Sequence, residues 1–175
     1  MSSLANAGVL IKGSKWNASS LTFSFDAQLP AYQFYADPQE FWKEPLLRNN
    51  FLAFSAVQQT AARRILTFSE PKGALFSDVV KLSVSENLTG TGDLFFGQTD
   101  LSYELVPVNN TLVPADGIGF SPNGSSAASA AGDVFLNHAS SIAQDPMVPG
   151  SVGYWLLIHE IGHALGLDHT HPTSS

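Results

Sequence analysis

His159-Glu160-Ile161-Gly162-His163-Ala164-Leu165-Gly166-Leu167-Asp168-His169 is the stretch on which the reading of this chain turns. On a helix, His159 and His163 leave the same face about one turn apart, so both imidazoles can reach one metal ion. Gly166 can adopt the positive φ that other residues resist, end the helix and swing His169 toward the same ion. Three neutral imidazoles with one coordination position left for water describe a catalytic zinc site, not a closed structural one. Glu160, beside the first ligand, is placed to act as general base on a metal-bound water. His171 competes with His169 for the third place, but only His169 keeps the spacing. Asp168 could orient a histidine, although an exposed carboxylate just past a helix is the commoner case.

A bare His-Glu-x-x-His arises by accident in many helices, but the added glycine and third histidine lower the chance of coincidence to roughly 10⁻⁵. This spacing is the metzincin signature. Within the metzincins, residues 159–167 and the lead-in Pro149-Gly150-Ser151-Val152-Gly153-Tyr154-Trp155 look most like the serralysins, secreted bacterial zinc proteases. The resemblance implies an α/β (α+β) fold: a twisted mixed sheet of about five strands with a packing helix and an active-site helix. It also implies zinc-dependent peptide hydrolysis, a peptide or protein substrate, and export by a type I route without an N-terminal signal peptide. Serralysins carry calcium-binding repeats after the protease part, so calcium would belong to repeats that this sequence does not show. They also continue into a subdomain with a Met-turn and a tyrosine that can bind the metal. The two methionines here, Met1 and Met147, both precede the signature, and Ser175 is the last residue. The expectation is therefore a single metzincin-like domain over 1–175, cut after its third ligand. A peptidase-like zinc module that binds a partner without turnover stays open as the alternative.

Composition narrows the partners. With 8 Lys and Arg against 15 Asp and Glu, a net charge of −7 speaks against nucleic acid or an anionic membrane surface. No apolar run approaches membrane-spanning length. Without cysteine, zinc ligands must come from His, Asp, Glu or Tyr. Oligomeric state is not legible.

Residues 1–13 read as a flexible lead without the basic, apolar pattern of a signal peptide. Leu21, Phe23 and Phe25 alternate in a first strand which, with Gly13–Trp16, resembles the family's opening strand. From Asp26 to Asn50 prolines and aromatics suggest a packed loop covering the core. Ser55 and Gln58 form a capping box for a helix whose stripe would be Val57, Ala61, Ile65 and Phe68, with Arg63 and Arg64 facing solvent before a stop at Pro71. Val80, Leu82 and Val84 suggest a second strand, Asp93–Gly97 a third, Leu101–Val108 an extra strand and Gly117–Pro122 a short one. Asn123–Ala131 is a small-residue loop. Gly132–Asn137 is the last strand, and its likeness to the serralysin cleft edge implies that Gly132, Asp133, Val134 and Phe135 would receive a substrate backbone as an added antiparallel strand. His138 reads as a surface histidine. The final helix is expected near Ser151, with Val152, Trp155, Leu156 and Ile158 on its buried side.

Overall fold

The computed structural model describes residues 15–30, 50–67, 82–102, 104–108, 111–122 and 130–169. The lead at 1–13, the aromatics between Tyr32 and Trp42, Phe68, Val80 and His171 lie outside them. Within them the protein is mixed α/β, a mostly parallel sheet carrying two helices.

The strands are β1 (Ser20–Ser24), β2 (Leu52–Ala53), β3 (Ser83–Glu86), β4 (Leu94–Thr99), β5 (Leu105–Val108), β6 (Thr111–Pro114), β7 (Gly117–Gly119) and β8 (Val134–Asn137). The helices are α1 (Ala56–Thr67) and α2 (Val152–Ala164). The main sheet runs β3-β1-β4-β8-β7, parallel as far as β8. β7 is antiparallel to β8 and is the end strand among the described residues. β1 lies along the first half of β4 and β2, antiparallel, along the second half. Among the described residues β5 and β6 pair with each other alone, as a hairpin leading into β7.

Strict alternation along β4 and β8 divides the apolar residues between two faces. Leu94, Phe96, Val134 and Leu136 turn to the helix side, where Ala61, Ala62, Ile65 and Leu66 of α1 and Leu157, Ile161 and Ala164 of α2 complete the main core. Phe95 and Phe135 turn the other way and pack with Leu101 and Ala130.

The expected capping box of α1 is present, with Ser55 N–H donating to Gln58 Oε1 at 2.8 Å and Gln58 N–H to Ser55 Oγ at 3.3 Å. Its buried face differs from the expected stripe. Val57 is exposed, and Gln58 is buried instead because its amide donates to Gln98 Oε1 of β4 at 3.1 Å. Arg63 does not simply face solvent: its Nε and Nη2 donate to the two carboxylate oxygens of Glu86 at 2.8 and 2.7 Å, tying α1 to β3. In α2 the expected face is likewise rotated. Val152 and Trp155 are exposed, Leu156 and Ile158 only partly buried, while Gly153, Tyr154, Leu157, Glu160 and Ile161 turn inward.

The expected cleft edge is corrected most. β8 is paired on both sides, by β4 and β7, and Asp133, Val134 and Phe135 are buried. With its backbone committed to two ladders, β8 has no free edge for another strand. The edge is β7.

Asn137, at the end of β8, holds this edge in register. Its Nδ2 donates to Ala115 O at 2.8 Å, and its Oδ1 accepts from Ala139 N–H at 3.0 Å and Leu101 N–H at 3.4 Å. Asn137→Ala would strand three backbone groups around a residue only 3% exposed. We expect a loss of about 2–4 kcal/mol in urea unfolding. A loss under about 1 kcal/mol would show that water replaces the amide without penalty.

Candidate metal centre

The site begins with the cap of α2. Ser151, in extended conformation, accepts from Tyr154 N–H at 3.2 Å and also donates to Pro146 O. Asp145 accepts from Gly153 N–H at 3.1 Å, a carboxylate at the positive end of the helix. A side chain at Gly153 would meet Ile142 O at 2.9 Å, so glycine lets this turn lie against the preceding loop.

At the other end the chain closes in a Schellman turn. Gly166 N–H donates to His163 O and Leu167 N–H to Gly162 O, both at 2.9 Å, with Gly166 at φ 97° as the sequence requires. The turn brings His169 back over the helix. The Nε2 atoms of His159, His163 and His169 then stand 3.1 Å from one another, the three sides of one triangle.

This triangle suits a metal. Nitrogens around a tetrahedral zinc ion stand about 3.3 Å apart. The Nδ1 of His163 lies 2.9 Å from Leu167 O, a partner that can only accept, so that nitrogen carries the proton and Nε2 presents its lone pair inward. Burial, reinforced by the charges of the other two rings, holds the His159 pKa below the usual histidine value, which keeps this ligand neutral at pH 7. Among the described residues these three are the group of His, Cys, Asp or Glu side chains that could hold a metal ion. The structure thus brings together the three histidines read from the spacing. His138 follows β8 outside this group, and Asp168 accepts from His169 N–H at 2.7 Å, fixing the third ligand's backbone and not its ring.

Glu160, the residue after His159, packs against β7. It is only 6% exposed, and its pKa is pushed up to about 7. Burial is the main cause, a hydrogen bond from the Gly119 backbone opposes it, and the charge of Asp116 adds to it. A Cβ at Gly117 would lie 3.0 Å from Glu160 Cγ, and one at Gly119 would lie 2.1 Å from Glu160 O. The two glycines let the edge strand touch the helix directly at the glutamate.

The polar groups of these glycines turn away from β8, and the backbone of Gly119 bonds to Glu160. Asp116 O accepts from Asn137 N–H, Phe120 N–H donates to Asp133 O and Phe120 O accepts from Gly132 N–H, so the residues that bond to β8 are 116 and 120. By antiparallel alternation Ile118 belongs with them, and Gly117 and Gly119 aim their backbone groups away from β8. The sequence reading missed this. The Gly-x-Gly pattern was its signal, two positions on one face of a strand without side chains.

Compared with models of known protein families, the sequence matches none, and no curated protein matches it. Among the described residues no helix is long and apolar enough to cross a membrane.

Proposed function

We propose that this chain is a zinc-dependent endopeptidase of serralysin-like, metzincin type. His159, His163 and His169 would hold the zinc and Glu160 would serve as general base. The observation that carries the reading is the convergence of three Nε2 atoms at 3.1 Å, with a buried carboxylate next in sequence to the first of them. A bound zinc would supply an acidified water and polarise the scissile carbonyl. Glu160, with a proton affinity suited to exchange near neutral pH, takes the proton of the attacking water and returns it to the leaving amine. No covalent link to the protein is required. An extended peptide would add along the side of β7 away from β8, in place of the Gly132–Phe135 edge suggested by the resemblance. That arrangement sets a substrate backbone next to the glutamate.

The test is cleavage of an unstructured protein such as casein by the 175-residue chain with and without zinc. We expect cleavage that a chelator abolishes and zinc restores, and loss of stoichiometric zinc binding in His163→Ala. Zinc bound at one ion per chain with no cleavage would favour a partner-binding module. No zinc bound would end the proposal.

A further inference from the structure

Four carbonyls at the end of a helix lack intrahelical partners, and here they belong to the turn that carries a proposed metal ligand. Three are satisfied locally. Ile161 O accepts from Leu165 N–H at 3.0 Å, Gly162 O from Leu167 N–H and His163 O from Gly166 N–H. The fourth, Ala164 O, accepts from a residue 148 positions away, the indole Nε1–H of Trp16, at 2.9 Å.

The indole is held in a built slot. Trp16 packs against the main core, and a Cβ at Gly132 would stand 2.7 Å from its Cζ2. Gly132, at φ 89°, leads directly into β8. The ring therefore bridges the entry of β8 and the exit of α2, two residues before Gly166. From there the chain runs through Leu167, whose carbonyl holds His163, to His169.

We infer that Trp16 is a positioning residue for the third metal ligand: its indole N–H fixes the last carbonyl of α2 and so the turn that delivers His169 to the other two histidines. This rests on the proposed zinc site. A hydrogen bond that is preformed before metal binding removes ordering cost from the binding step, and groups one shell behind a ligand change metal affinity about 10- to 100-fold when lost. A residue that served folding alone would lower the stability of the metal-free protein and leave the affinity of the folded fraction unchanged.

The experiment is a zinc titration against a chromophoric chelator for wild type, Trp16→Phe and, as a control, Trp155→Phe, with metal-free unfolding measured in parallel. Trp16→Phe keeps an aromatic ring in the slot and deletes the donor. We expect it to bind zinc about tenfold more weakly while still folding, and Trp155→Phe, at an exposed position of α2, to match wild type. In wild type, the indole N–H signal of Trp16 in a ¹⁵N correlation spectrum should be protected from exchange and should move on zinc saturation, while that of Trp155 stays. Zinc affinity of Trp16→Phe within about twofold of wild type, or a Trp16 signal indifferent to zinc, overturns the inference. Should Trp16→Phe not fold, the wild-type indole signal decides. Failure of wild type itself to bind zinc would be read in the same titration and would overturn the metal centre together with this inference.

Discussion

Replacing Glu160 with glutamine is expected to reduce peptide hydrolysis roughly 10²–10⁴-fold while zinc remains bound at one ion per chain. It is also expected to stabilise the metal-free protein at alkaline pH. The two effects have one physical origin, a carboxylate placed where water is scarce. The Glu160 pKa rises from an ordinary 4.5 to about 7 on folding. The folded state therefore binds the proton more tightly than the unfolded state, and stability falls as pH rises from about 4.5 to about 7. Above that window the cost of the buried charge is complete, on the order of 3 kcal/mol. Glutamine has no such titration. In chelator, the advantage of Glu160→Gln over wild type should grow by about 2–3 kcal/mol between pH 5 and pH 8 in urea unfolding. The depressed His159 acts in the opposite sense, lost stability appearing as pH falls, but it is common to both proteins and cancels in the difference. A gain equal at both pH values would mean that charge burial is not what destabilises the site. Retained hydrolysis would remove Glu160 from the base role.

The convergence of the three histidines was legible because they lie within eleven residues, where helix geometry and one glycine turn fix relative positions without reference to the rest of the chain. The capping box of α1 was legible for the same reason. What depended on strand order was not. Nothing local in Gly132–Asn137 distinguishes an edge from an interior strand by alternation, although four consecutive buried residues, Val134-Phe135-Leu136-Asn137, are the signature of a strand covered on both faces. The rotated face of α2 has a related cause. Reading helices by apolar side chains places Val152 and Trp155 inside, but this helix also lies close against the preceding loop where a side chain is absent, at Gly153. Trp16 and Asn137 were invisible for a different reason: each acts through backbone groups distant in sequence, for which no residue pattern exists.

Close approach without side chains makes Gly119→Ala the substitution we expect to be most damaging to the fold. The added methyl would meet Glu160 O at 2.1 Å, its carbonyl carbon at 2.9 Å and its Cα at 3.1 Å. All three belong to helix backbone, which cannot move without shifting α2 against β7. The residue has no left-handed φ, so the penalty is steric alone and not conformational. Overpacking of this kind costs about 1–3 kcal/mol where side chains can yield, and more where they cannot; we expect about 3–4 kcal/mol from urea unfolding. Gly117→Ala is the informative partner. There the methyl would meet Glu160 Cγ at 3.0 Å, Leu136 Cδ2 at 3.2 Å and Glu160 Cδ at 3.3 Å, the outer atoms of side chains that can adjust. We expect a stability loss of only about 1 kcal/mol, but with the carboxylate pushed off its place. Hydrolysis should fall at least tenfold although the protein is folded and zinc-loaded. The pair thus separates the two duties of the edge strand, seating the helix at Gly119 and seating the base at Gly117. If Gly119→Ala were as stable as wild type, the contact between β7 and α2 would be looser than these distances state. If Gly117→Ala were fully active, the position of the Glu160 carboxylate would not depend on the edge strand.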